Sequence, residues 1–294
     1  MAASTTTASE LTAEQVLNLL VKPLEDASQF LAAGPRIFDT AGPLRIPKLG
    51  DTDAAGFFAE NEQIDDAEQT FDEITLLPST LKSVKTLTKY SNELSRQSVI
   101  ALDAALRERL VRSVANAVDT ALITGDGGSP SGTEPVGLLN YDGTQEVPVD
   151  GVLELDDLLD AWGAALAADV NMAGLRWWMR PETFTALRKL KDEDERYQLE
   201  PDPTMDGVFR LFGVPVTITK RIPADEGATT VVLADFSQIA VARDQAPTVK
   251  ILDQTFGDYD QMAIRVTARY DAAPMNAAAV VLLTAVDADG EIGS

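Results

Sequence analysis

The sequence predicts an α+β fold organised along one long helix, and three observations carry that reading. From Asn92 to Thr124 the residues Val99, Leu102, Leu106, Leu110, Val114, Ala117 and Ala121 recur every three or four positions. No proline or glycine interrupts them, so the segment is one amphipathic helix. From 151 to 234 helical and strand-like patterns alternate, which marks a compact α/β lobe. Ahead of the helix, residues 51–73 carry nine carboxylates and no Lys or Arg, within a bracket of Phe57, Phe58, Ile64, Phe71, Ile74, Leu76 and Leu77. That pattern reads as two strands joined at a polar tip over 65–70. A lone hairpin is marginal in water and clustered carboxylates weaken it, so it is expected to rest on another surface. A solvated acidic loop is the alternative.

Taken in order, residues 1–49 read as an arm. Thr12 and Gln15 fit a capping box ahead of Val16, Leu19 and Leu20. Pro23 interrupts, Leu24, Ala27, Phe30 and Leu31 resume the pattern, and Gly34-Pro35 and Gly42-Pro43 end it. Docking on its own domain and lying on a neighbour both remain open for this arm. In the long helix Arg96, Arg107, Arg109 and Arg112 lie among Asp103, Glu108 and Asp119, a mixed polar face, and Gly125 supplies the C-terminal stop. Within the α/β lobe Leu155, Leu158, Leu159, Trp162 and Leu166 form a helical face, and Leu175–Met179 is a short strand. Pro181 opens a helix that turns Phe184, Leu187 and Leu190 inward. Residues 214–219 and 231–234 read as buried strands. Met262, Ile264, Val266 and Ala268 alternate with Ala263, Arg265, Thr267 and Arg269, the period of a strand with one apolar face. Residues 277–286 form an apolar run too short to span a bilayer, so a core strand is expected.

Composition removes several functions. The chain has 294 residues with 47 acidic against 24 basic side chains, a formal charge of -23, which disfavours binding to nucleic acid or anionic membranes. It contains no cysteine and no histidine, so thiolate catalysis, disulfides and Ser-His-Asp chemistry are excluded. No cofactor or metal is implied. Gly125-Asp126-Gly127-Gly128 lacks the Gly-Lys-Ser/Thr ending of a phosphate loop and follows a helix, not a strand. Asp287-Ala288-Asp289-Gly290-Glu291 starts like a calcium loop but has no Glu at its twelfth position. The residues 1–10 lack the basic and apolar regions of a secretory signal.

The order of these elements resembles that of the major capsid proteins of tailed bacteriophages, which share the HK97 fold. Four places carry the resemblance. Residues 57–77, ending Thr70-Phe71-Asp72-Glu73-Ile74-Thr75-Leu76, resemble the family's extended E-loop. Ser91-Asn92-Glu93-Leu94 resembles the entry to its spine helix. Thr124-Gly125-Asp126-Gly127 with Pro135-Val136-Gly137-Leu138-Leu139 is similar to the turn after the spine. Leu190-Lys191-Asp192, Arg196-Tyr197 and Phe212-Gly213-Val214-Pro215-Val216 resemble the axial-domain signature.

The resemblance implies an HK97-like capsid fold. Its parts would be an N-terminal arm (1–49), an E-loop hairpin (50–89), a peripheral domain with the spine helix (90–150) and an axial domain (151–234). Peripheral strands (235–271) and a final axial strand and tail (272–294) complete it. It implies no enzyme but a virion subunit that assembles in the host cytoplasm with copies of itself, as hexamers and pentamers, around double-stranded DNA. Portal, scaffolding and decoration proteins are the further partners it implies, and with about fifty residues ahead of the hairpin a separate scaffold, or none, is expected. Inter-subunit contacts are expected from Phe57, Phe58, Glu62, Ile64, Asp65 and Phe71, with Arg107, Arg109 and Arg112 as cationic counterparts. Some relatives join subunits by a lysine–asparagine bond promoted by a glutamate. By local alignment the lysine position falls at or near Glu73, the asparagine at Gln261 and the glutamate at Ala268, so no such cross-link is expected. An encapsulin-like compartment is the rival with the same fold. An Asp/Glu-dependent α/β enzyme is the rival of another class.

Overall fold

The computed structural model describes residues 28–49, 71–77, 83–91, 93, 102–127, 134–168, 170–191, 199, 209–225, 227–244, 248–252, 255 and 259–287. The first half contains α1 (Gln29–Ala32), β1 (Arg36–Thr40), β2 (Leu44–Leu49), β3 (Phe71–Leu76), β4 (Val84–Ser91) and α2 (Leu102–Thr124). The α/β lobe follows with β5 (Gln145–Gly151), α3 (Leu155–Ala167), β6 (Leu175–Met179), α4 (Pro181–Lys189), β7 (Arg210–Leu211) and β8 (Val214–Ile218). The remaining strands are β9 (Ala224–Asp225), β10 (Ala228–Asp235), β11 (Ile239–Asp244), β12 (Thr248–Leu252), β13 (Gln261–Ala268), β14 (Tyr270–Pro274) and β15 (Val280–Asp287).

The central element is a seven-stranded mixed sheet in the order β5-β15-β10-β6-β8-β7, with β9 on the end of β10. Its strands are apolar at consecutive positions because both faces are covered. Trp178, Val232, Ala234, Val280 and Leu282 face one core with α2. Trp177, Met179, Val231, Leu233, Val281 and Leu283 face a second core with α3 and α4. The expected strand over 277–286 is thus β15, entered through a 3-10 turn at Ala277–Ala279. A second sheet, β1-β11-β14, and a third, β12-β13-β4, pack on the first core, and β2 and β3 form a separate ribbon.

The long helix ends where glycine was expected to end it, for a steric reason. A Cβ on Gly125 would lie 2.2 Å from the carbonyl oxygen of Pro135, and one on Gly137 would lie 2.5 Å from the Gly125 nitrogen. The two segments are stitched by the Gly137 N–H to the Gly125 carbonyl (2.7 Å), and Asn140 donates to the Thr124 and Gly125 carbonyls. The two halves of this motif, 124–127 and 135–139, are therefore one structural unit.

Several expectations need correction. Among the described residues β3 pairs with β2, which lies in the stretch read as an arm, with Leu44 opposite Leu76 and Leu49 opposite Phe71. The proposed strand around 57–64 lies outside the described residues. The buried face of α2 is turned toward Leu110, Val111, Val114, Ala115, Val118 and Leu122, while Ala117 is exposed. Alanine spacing misled here, because a methyl group is equally at home on either face. Asp119, read as polar-face, is fully buried. In α3 the inward residues are Leu158, Ala161 and Ala165, whereas Leu159 and Leu166 are exposed at 41% and 43%. Strand β14 runs across the boundary drawn at 271/272.

Replacing Gly137 with alanine is expected to cost about 1–3 kcal/mol through overpacking against backbone that cannot retreat. Chemical denaturation of the variant beside the parent measures it; an unchanged midpoint contradicts the close approach.

Candidate assembly surfaces

The root of the β2–β3 ribbon is fixed to its own subunit. Leu76 and Leu77 are buried with Ala240 and Ala242, and Leu44, Ile46 and Ile74 pack on the same cluster. Leu77 adopts a left-handed backbone (φ 51), and its N–H donates to a carboxylate oxygen of the buried Asp271 at 2.8 Å. A left-handed backbone that costs energy at a residue bearing a Cβ persists because burial and this charge-assisted hydrogen bond hold it. Beyond the root the strands pair with each other, and Arg45 and Glu73 form an exposed ion pair at 3.5 Å, worth about 0–1 kcal/mol. Phe71 opens β3 at the far end. Phe57, Phe58, Glu62, Ile64 and Asp65 lie outside the described residues.

The expected cationic counterparts lie on α2. Arg109 and Arg112 are exposed, and Arg112 pairs with Glu108 one turn earlier at 2.9 Å; Arg107 belongs to the same helix. The three positions expected to match the cross-link are dispersed in the subunit. Glu73 lies in the ribbon opposite Pro47, while Gln261 and Ala268 are the two ends of β13, opposite Ser91 and Val84.

The segment 28–40 docks on its own subunit, which resolves the open reading of the arm for these residues. Phe30 is fully buried, edge-on to Trp178 (6.2 Å) and to Phe236 (5.5 Å), which stack on each other at 5.0 Å. Asp119 from α2 accepts hydrogen bonds from the Ser28 hydroxyl and from the backbone N–H groups of Gln29 (2.9 Å) and Phe30 (3.3 Å). It thus caps α1 from another helix, meeting donors that would otherwise be orphaned. Arg221 reaches the same carboxylate at 3.3 Å and donates to Gln29 (2.7 Å) and Asn116 (2.5 Å). Strand β1 then runs parallel to β11, and Arg243 donates two hydrogen bonds to Asp39, at 2.6 and 2.9 Å. The Arg243 hydrogen bond holds the Asp39 carboxyl below its ordinary value. A depressed carboxylate contributes above the ordinary acid range and stops contributing as pH falls through its lowered value. None of these anchors was singled out as a site from sequence; an Asp three residues before Leu122 on the buried stripe was the available signal.

Two cores sharing one sheet, a spine helix ending in the glycine turn and a ribbon rooted on β11 define the HK97-type fold of shell-building proteins. The chain belongs to the phage capsid family, whose model matches residues 10–285. It is 27% identical over 203 residues to a capsid polyprotein of Pseudomonas phage PAJU2, and 22% identical over 215 residues to a major capsid protein of Klebsiella oxytoca phage phiKO2. Those matches take in 67% and 69% of this chain but 29% and 48% of the relatives' own lengths. Among solved structures, the capsid of a native GTA particle matches with a TM-score of 0.71 at 21% identity, covering 88% of this chain and 90% of that one. The SrpI encapsulin complex of Synechococcus elongatus has the same fold at a TM-score of 0.62 and 17% identity, with 88% of each chain covered.

Asp119→Ala is expected to destabilise the subunit by about 3 kcal/mol, because it leaves the buried Ser28 hydroxyl and α1 N–H donors without their acceptor and removes the carboxylate that faces Arg221. Denaturant unfolding measures the loss, and limited proteolysis should then cut first within 28–40. A variant as stable as the parent contradicts the anchor.

Proposed function

We propose that this chain is the major capsid protein of a tailed bacteriophage, assembling as hexamers and pentamers into an icosahedral shell around double-stranded DNA. The observation that carries this reading is the ribbon. Its root is locked to the subunit by Leu76, Leu77 and Asp271, while among the described residues β2 and β3 pair with each other in a two-stranded sheet. Two strands alone are marginal in water, so a neighbouring copy is the natural support for what they carry. Obligate interfaces of this kind bury on the order of 2,000 Å² or more, and many modest contacts then hold a closed particle together.

The net charge of -23 suits this role, since a wall poor in cations lets packaged DNA slide without gripping its phosphates. With Glu73, Gln261 and Ala268 at the aligned positions, the isopeptide chemistry has neither its lysine nor its asparagine nor its glutamate, so the shell is held non-covalently. Its place is the virion, after assembly in the host cytoplasm with a portal and, where needed, a scaffold. The encapsulin-like alternative shares the fold and differs in contents.

Electron microscopy of the purified protein should show closed particles, and nuclease-protected DNA in virions separates this reading from a cargo compartment. A monomeric, particle-free preparation contradicts it. On a denaturing gel mature particles should give one monomer band; a covalent ladder overturns the non-covalent assignment.

A further inference from the structure

We propose that Asp271 is a two-position latch: its Oδ2 holds the N–H of Leu77 in the observed arrangement, and the hydroxyl of Tyr141 is the donor it takes in a second. The latch belongs to the subunit alone and stands apart from the shell reading. Leu77 is in conflict with its own sequence. It precedes Pro78, and a residue before proline is driven toward extended backbone. A leucine in any case avoids the left-handed region, where its Cβ crowds the following carbonyl. Leu77 nevertheless has φ 51, with its side chain buried among Leu76, Ala240 and Ala242. The strained backbone delivers its N–H to Asp271 at 2.8 Å.

The two carboxylate oxygens have separate tasks. Oδ1 accepts the N–H of Ala272 at 3.1 Å, which fixes the group to β14. Oδ2 reaches Leu77 across 194 positions of sequence. The Tyr141 hydroxyl is buried and meets no acceptor among the described residues. A buried hydroxyl without a partner is unfavourable. Burial is the main cause of its raised ionisation and the charge of Asp271 the second, so a neutral donor lies within electrostatic reach of the carboxylate. Tyr141 follows the 3-10 turn at Leu138–Asn140, which Asn140 ties to the end of α2, so this donor sits on a fixed element.

The observed arrangement therefore carries two unfavourable features, a left-handed leucine and an orphaned hydroxyl. One exchange removes both. Oδ2 turns to Tyr141, Leu77 relaxes to the extended backbone that Pro78 favours, and its N–H passes to solvent. Loss of the Leu77 burial opposes the exchange and sets the balance. Packed joints of this kind have discrete states, not a continuum. The ribbon amplifies the difference, because Phe71 lies five residue steps, about 17 Å, from Leu76. Tyr141 is thus a positioning residue that acts through Asp271.

Amide hydrogen exchange of the full chain tests the latch, with Leu77 measured relative to Val232 and Leu282 in the shared sheet. Tyr141→Phe keeps the ring and removes the second donor, so Leu77 exchange should slow at least fivefold on that scale. A purely structural loss at Tyr141 moves all three amides together. Asp271→Asn should speed Leu77 exchange at least tenfold, and adding Tyr141→Phe to it should change nothing further. An unchanged or faster Leu77 amide in Tyr141→Phe overturns the proposal. Equal slowing by Tyr141→Phe in the Asp271→Asn background also overturns it, since the hydroxyl then acts without the carboxylate. The chain has no cysteine, and Glu73 and Glu146 are exposed, so spin labels at Glu73→Cys and Glu146→Cys read the ribbon against β5. Two distances in the otherwise unaltered chain and one after Tyr141→Phe are expected; a single distance in both overturns the latch even where Asp271→Asn does not fold.

Discussion

The constraint on which the rest of the structure depends is that one sheet must satisfy two cores at once. Strands β6, β10 and β15 are apolar at successive positions, so neither face can be left to solvent. One face is closed by α3 and α4, and the other by α2, the Phe30–Trp178–Phe236 cluster and the two smaller sheets. Trp177 and Trp178, both fully buried, are adjacent in sequence and belong to opposite cores. A subunit built this way has little freedom to shift its lobes, since sliding either layer uncovers the shared wall. Rigidity of that kind suits a building block whose geometry is repeated many times in a shell.

A second consequence concerns polar groups. Closing the first core requires the chain to bring in the segment at 28–33, whose short helix α1 exposes backbone donors inside the protein. Asp119 meets those donors, and Arg221 and Asn116 complete the set. The same logic recurs at the ribbon root, where Asp271 receives the N–H of Leu77, and at β1, where Arg243 is matched by Asp39. Charged side chains in this subunit therefore mark joints between elements distant in sequence. The Tyr141 hydroxyl, buried near Asp271, has its ionisation pushed up chiefly by burial, so it stays neutral beside that joint.

How much was legible beforehand follows from these facts. Periodicity found the long helix, α3, β6, α4, β10, β13 and β15, because each has a run of side chains whose burial repeats with its own geometry. It did not find that β15 and β10 are walls of two cores, since a continuous apolar run specifies burial on both faces but not by what. It did not find β2 as a partner of β3, because Leu44 and Ile46 read as part of an arm, and the strand expected around 57–64 lies outside the described residues. It also placed Asp119 among solvated charges. A carboxylate on a buried stripe looks like an irregular polar face until the residues 28–30 that need it are known. At the candidate surfaces, the acidity of 51–73 was plain, but the ribbon root was not. Leu77 and Asp271 lie 194 positions apart, and only the fold brings them together.

The charge of the chain has a physical implication for assembly. Each exposed ion pair contributes little, about 0–1 kcal/mol, so charge alone cannot hold a particle together. What opposite charges on one chain do well is choose orientation, because like-charged surfaces repel and only complementary ones are tolerated at close range. Apolar contacts then supply adhesion once an orientation is found. Weak, salt-sensitive steering followed by short-range packing lets a misplaced subunit leave before it is trapped. Strong attraction everywhere would fix errors into a lattice, and a chain with 47 acidic against 24 basic side chains is poorly suited to such indiscriminate attraction.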